Sequence, residues 1–153
     1  MPQFYSTKTF GNDRGLSCTY RQWKADSHCK FLHGYSIGVK FVFAADTLDE
    51  RHWVYDFGNT KWIKAFLEDH FDHTTCVAKD DPELASFQGL AEQGLIQLRV
   101  FEAVGCEKFA EFIALYVQQR LSQDDHGRVR LKSVEVFEHG ANSAIYECWS
   151  YCT

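Results

Sequence analysis

The stretch Ser27-His28-Cys29-Lys30-Phe31-Leu32-His33-Gly34-Tyr35-Ser36-Ile37-Gly38-Val39-Lys40-Phe41-Val42-Phe43 carries a thiol and two imidazoles directly into an apolar run that alternates toward its end. Alternation with period two marks a strand with one buried face. This strand therefore joins a core to a cluster of reactive side chains.

Upstream, residues 5–10 and 16–23 are strand-like, with Gly11-Asn12-Asp13 as the turn signal between them. Downstream, Asp46 to Glu50 turns and Trp53-Val54-Tyr55-Asp56-Phe57 is a short extended piece. The period then changes. Trp62, Ile63, Phe66, Leu67 and His70 recur at helical spacing behind an Asn59-Thr60 N-cap, and that helix should end near Phe71. Asp80-Asp81-Pro82 opens a shorter helix through Glu92 that Gly94 closes, and residues 95–100 are extended again. A long helix is expected from Cys106 to Leu121, with Phe109, Ile113, Tyr116 and Val117 on one side. Residues 129–137 and 143–147 flank His139-Gly140-Ala141-Asn142, a hairpin signal. The order β-β-α-(insert)-α-β-β predicts an antiparallel sheet with helices on one face, an α+β domain over residues 1–153. Its edges need cover, and joining sheets between subunits is one solution.

Length and composition bound what this domain does. The 153 residues suit one domain of the common size, and 45% hydrophobic with 16% aromatic residues makes a folding sequence. A net charge of −5 without a dense Lys/Arg cluster argues against nucleic acid as a partner. No apolar run reaches the roughly 18 residues of a membrane helix, and the N-terminus lacks signal-peptide character. A cytoplasmic protein is expected. The six cysteines, Cys18, Cys29, Cys76, Cys106, Cys148 and Cys152, have no paired rhythm and fit reduced thiols. Cys152 belongs to the tail.

Four groups have the chemistry of an active site. Cys29 and His33 stand four apart, and an imidazole near a thiol turns it into a base or nucleophile. In Asp72-His73 a carboxylate adjoins an imidazole and sets its tautomer. Glu138 ends an apolar strand just before a turn, where a carboxylate accepts two hydrogen bonds from an amidine-like edge. Glu107 lies in the first turn of the long helix, where the helix dipole favours it. Taken singly, the other histidines, His28 among them, read as surface or capping residues.

Together, Cys29-x3-His33-Gly34, Trp53 to Phe57, Phe71-Asp72-His73, Cys106-Glu107-Lys108-Phe109-Ala110 and Val136-Phe137-Glu138 resemble the 6-pyruvoyl-tetrahydropterin synthase family, and within it the 6-carboxytetrahydropterin synthases of the queuosine pathway. The resemblance implies a tunnelling fold, with a four-stranded antiparallel sheet and two helices, assembled into trimers and hexamers with active sites between subunits. It implies a lyase acting on 7,8-dihydroneopterin triphosphate, with a zinc ion on three histidines as Lewis acid. By position, Cys29 would move protons, Asp72 and His73 would assist, Glu138 would anchor the pterin, and Glu107 with Cys106 would line its pocket.

The zinc positions depart from that pattern. Where the family has His-x-His, this chain has His33 and Tyr35, and the third histidine, eleven positions before the cysteine, falls on Cys18. Tyrosine, with a pKa of about 10, is a poor zinc ligand at neutral pH. A rebuilt zinc site would use Cys18, His33 and either His28 or Cys29, and in the last case Cys29 would not also be a free base. Val104-Gly105 stands where the family usually has Pro-Thr, and residues 77–103 form a longer connection expected to cover the site.

Overall fold

The computed structural model describes residues 3–148; Cys152 lies outside the described residues. Its centre is β3, His33–Ala45, a 13-residue strand whose odd-numbered residues from Ile37 to Ala45 are buried while Lys40 and Val42 reach the other face. Strand β1, Phe4–Phe10, and β2, Leu16–Tyr20, do not pair with each other. Both run antiparallel to β3 and lie end to end along one of its edges, Phe10 opposite Val39 and Leu16 opposite Ile37. The turn signal at Gly11-Asn12-Asp13 makes a step between two collinear strands, and Asn12 fastens it by donating from Nδ2 to the Ser36 carbonyl at 2.7 Å.

On the other edge of β3 lies β6, Arg130–His139, followed by the hairpin partner β7, Asn142–Glu147. Beyond β2 the sheet continues through β4, Thr74–Ala78, and β5, Leu98–Phe101, both parallel to their neighbours. The order β5-β4-β2-β3-β6-β7, with β1 beside β3, makes a mixed sheet of seven strands. The α+β class holds, and the sheet is larger than four strands because residues 74–101 form a β-helix-β unit with α2, Leu84–Glu92, as its crossover. Trp53 to Phe57, expected to be extended, is irregular, with bends at Val54 and Tyr55 before a 3-10 turn begins at Phe57.

Helix α1, Lys61–Phe71, buries Ile63, Phe66, Leu67 and Phe71, and α3, Cys106–Leu121, buries Phe109, Ile113, Val117 and Leu121. Both apolar faces follow the 3.6-residue period. The α3 face packs on β6 and β7, and α1 packs on β2 and β4. Between them Phe71, Phe101, Phe109 and Phe112 form a ring cluster with centroids 5.0 to 6.5 Å apart. One core thus backs the strand ends that carry Tyr20, His33 and Glu138. Among the described residues no helix is long and apolar enough to cross a membrane.

Candidate active site

A cleft of about 300 Å³ opens where β2 ends, β3 begins, β6 ends and α3 begins. It gathers Cys29, His33, Cys106, Glu107 and Glu138, side chains that the sequence scatters over more than a hundred positions, together with Tyr20. Cys29 sits on a 3-10 turn, His28–Lys30. That turn is pinned by Gln22 N–H donating to the Cys29 carbonyl at 2.8 Å, and the Cys29 residue is exposed. His33 Nδ1 lies 2.7 Å from the Phe31 carbonyl, so it carries the proton and donates, leaving the Nε2 lone pair as an acceptor. Gly34 has to be glycine beside it, because a Cβ there would meet the Cys18 carbonyl oxygen at 2.9 Å.

Glu138 shares the inner face with Val134 and Val136 and accepts at Oε1 from the Tyr20 hydroxyl, 3.0 Å away. Tyr20 is itself 4% exposed and packs edge-on against Phe109, 5.1 Å between centroids. Burial, then the nearby Cys106 and Glu138 charges, raises the Tyr20 pKa, so the phenol is a proton donor throughout the neutral range. Glu107 follows Gly105, whose φ of +117° suits only glycine and turns the backbone into α3 at the cleft wall. Val104 and Gly105 thus both line the cleft where the chain enters α3.

Burial and then the Glu138 charge push the Cys106 thiol up from 9.0 to about 11. It is neutral at physiological pH and lines the pocket without acting as a nucleophile. A raised folded pKa holds its stabilisation below the unfolded value and loses it as pH rises through the folded one. The thermal midpoint should therefore fall between pH 9.0 and about 11, and Cys106→Ala should flatten part of that decline in calorimetric scans across the same range.

Asp72 and His73 are not in this cleft. They pair with each other, Nδ1 to Oδ1 at 2.6 Å, at the C-terminus of α1, with the His73 side chain 79% exposed and its backbone N–H donating to the Ser17 carbonyl. Residues 77–103 do not cover the site: among the described residues, none of the cleft's lining comes from them.

The expected Cys18/His33 zinc pair lies on one face of β2 and β3 but finds no third His, Cys, Asp or Glu placed to join it among the described residues. Strand register places Cys18 opposite Tyr35, and Tyr20 opposite His33. Cys18 is buried, and the neighbouring Cys76 together with that burial raises its pKa and favours the thiol. His28 does not line the cleft. Tyr20, which the sequence reading did not single out, shares the inner face with Leu16 and Cys18 through the alternation of β2. The rings of Tyr20, His33 and Tyr35 lie 5.3 to 6.0 Å apart. One imidazole and two neutral phenols do not make a zinc donor set. No group of three or more His, Cys, Asp or Glu side chains among the described residues is placed to hold a metal ion.

Fold and site together define an α+β protein of the tunnelling-fold class, with a carboxylate at the base of a small cleft and an exposed thiol at its mouth. The sequence profile of 6-pyruvoyl tetrahydropterin synthase matches residues 12–148, and the protein belongs to that family. Its fold is similar to that of an uncharacterized protein of Wolinella succinogenes, at 19% identity and a TM-score of 0.82, covering 97% of this chain and 100% of that one. It is also similar to the Plasmodium vivax 6-pyruvoyl tetrahydropterin synthase, at 12% identity and a TM-score of 0.68, covering 97% and 99%. The Caenorhabditis elegans 6-pyruvoyl tetrahydropterin synthase is 16% identical with a TM-score of 0.55, covering 97% and 96%. At these identities the likeness is one of fold. A comparison with curated proteins finds no match. Family membership supports a pterin-metabolising, lyase-like function.

Proposed function

We propose that the protein is a 6-carboxytetrahydropterin synthase-like lyase that converts 7,8-dihydroneopterin triphosphate to a 6-substituted tetrahydropterin. The observation that carries this reading is the Glu138 carboxylate, held by Tyr20 at one oxygen and facing the cleft that Cys29 and His33 also line. A carboxylate so placed accepts from the 2-amino group and N3–H of a pterin, giving two charge-assisted hydrogen bonds. The pterin's hydroxylated substituent then extends toward Cys29. In a 7,8-dihydropterin the ring imine acidifies the first C–H of that substituent, so the Cys29 thiolate takes that proton as base and returns it as acid, with His33 Nε2 as its acceptor.

Self-association to a trimer or hexamer is part of the proposal. Asp72 and His73 face outward from their own subunit, and in an assembly they would complete the site of a neighbour. Mixing Cys29→Ala subunits with His73→Ala subunits should then restore activity that neither has alone. Sedimentation of the wild type as a monomer would count against it.

The direct test is incubation with 7,8-dihydroneopterin triphosphate, with and without added zinc, followed by mass spectrometry. A tetrahydropterin product is expected from the wild type and a loss of about 100-fold or more in Cys29→Ala, the range of a missing acid-base group. Cys18 and Tyr35 in the expected ligand positions favour a second reading, a pterin- or purine-binding protein without turnover. Tight binding that depends on Glu138, with substrate unchanged under both conditions, would select it.

A further inference from the structure

Residues 21–32 run from the end of β2 to the start of β3, and Gln22, Ala25, Ser27 and Cys29 of this segment form one wall of the cleft. From Asp26 to Leu32 every residue is exposed, so no apolar packing of its own holds the part that carries the thiol. Two polar clasps set its place instead. At the neck, Gln22 N–H donates to the Cys29 carbonyl at 2.8 Å and Arg21 Nη1 donates to the Lys30 carbonyl at 3.3 Å. At the connection between β4 and α2, Arg21 donates from Nε and Nη2 to the Asp81 carboxylate, Trp23 Nε1 donates to Asp80 Oδ1 at 3.2 Å, and Lys24 Nζ lies 3.6 Å from Asp80 Oδ2. Arg21 belongs to both clasps.

The fork of a guanidinium makes this double hold possible. With Nε and Nη2 fixed in the plane of a carboxylate whose side chain is 1% exposed, Nη1 is aimed at the Lys30 carbonyl. A lysine in its place has a single ammonium on a flexible stem, which can pair with Asp81 without fixing a second direction. We propose that Arg21, oriented by Asp81, is a positioning residue that holds the Cys29 thiol in its place at the cleft. That the thiol takes part in turnover rests on the lyase reading above, whereas the hold itself stands on these contacts. Residues 77–103 thus act on the site at one remove: they do not line the cleft, but Asp80 and Asp81 fix the segment that does. The ligand anchor is separate, since Glu138 stands on β6 and takes its bond from Tyr20. Loss of the hold should therefore show in the chemical step and not in binding.

Two comparisons of the full-length wild type with Arg21→Lys decide this. Amide hydrogen exchange should rise about tenfold over residues 22–31, the weight of about one hydrogen bond, while β3, β6 and α3 keep their wild-type rates. In turnover of 7,8-dihydroneopterin triphosphate, kcat should fall about 10- to 100-fold with KM within about twofold, because a displaced acid-base group costs rate while Glu138 still anchors the ligand. Asp80→Ala, a change at an exposed side chain, serves as a second variant and should raise the same local exchange by about threefold. Exchange that rises evenly over the whole chain would make Arg21 a support of the fold alone and overturn the proposal. Unchanged exchange over residues 22–31 would overturn it as well, and so would raised local exchange with kcat unaltered. Absence of turnover in the wild type would overturn the lyase reading and the role in turnover with it, and the exchange pattern would still decide whether Arg21 holds the segment.

Discussion

Glu138→Gln should lower affinity for a pterin by about 100-fold, read by fluorescence titration or calorimetry, while circular dichroism stays that of the wild type. The size follows from two charge-assisted hydrogen bonds, each worth about 1.5 kcal/mol at the low end of such bonds. The direction follows from geometry. Tyr20 donates to Oε1, so in the variant the amide oxygen keeps that bond and the NH2 is left facing the ligand's own N–H groups. Donor then meets donor, and a buried polar pair is left unsatisfied. Tyr20→Phe removes only the orientation of the carboxylate and should cost about tenfold or less. Unchanged affinity in Glu138→Gln would show that this carboxylate does not hold the ligand, and would take the anchored-pterin reading with it.

The parts of the fold that read well from the sequence are those where period and punctuation agree. Helix α3 runs over the expected residues 106 to 121 because Gly105 opens it and the polar run 122–127 ends it. Strands β6 and β7 follow their alternation and turn at Gly140-Ala141. Strand β4 escaped because Thr74 to Ala78 is buried at every position, so it has no alternation, and it begins three residues after α1 ends. A run of that length and pattern is ambiguous without its neighbours. The pairing of β1 and β2 was illegible for a different reason: a turn signal says that the backbone bends, not which strand it returns to, and the 13 residues of β3 have room for both.

The site divides along the same line. Cys29, His33, Cys106, Glu107 and Glu138 could be nominated from motif spacing, and the fold brings all five to one cleft. Tyr20 could not, since its role depends on facing His33 across two strands and on reaching Glu138, 118 positions away. Arg21 belongs to the same class, legible only once β2 and the β4–α2 connection are side by side.

Arg21 and Asp81 carry the second large effect, this time on stability. Asp81 has a side chain 1% exposed, yet it is fully paired: Arg21 donates from Nη2 to Oδ1 at 2.6 Å and from Nε to Oδ2 at 2.9 Å, and Glu83 N–H donates to Oδ1 at 2.8 Å. The same guanidinium donates from Nη1 to the Lys30 carbonyl, one residue past Cys29. The pair therefore ties the turn that presents the Cys29 thiol to the loop before α2. Removing one partner of a buried pair costs about 3 to 5 kcal/mol, and the 21% exposure of Arg21 brings the expected loss for Asp81→Ala down to about 2 to 3 kcal/mol. For a domain of this size that is a fall in thermal midpoint of about 5 to 10 °C. Because the two side chains share one interaction, Arg21→Ala/Asp81→Ala should be less destabilised than the sum of the single variants. The Arg21 guanidinium holds the Asp81 carboxyl below the usual aspartate range. A depressed folded pKa stabilises above the unfolded value of 3.8 and loses that contribution as pH falls through the folded one. The wild type should therefore lose stability on acidification below about pH 4, and Asp81→Asn, with no charge to lose, should lose less over the same interval. Equal acid sensitivity in the two proteins would place the source elsewhere and reduce this pair to a surface contact.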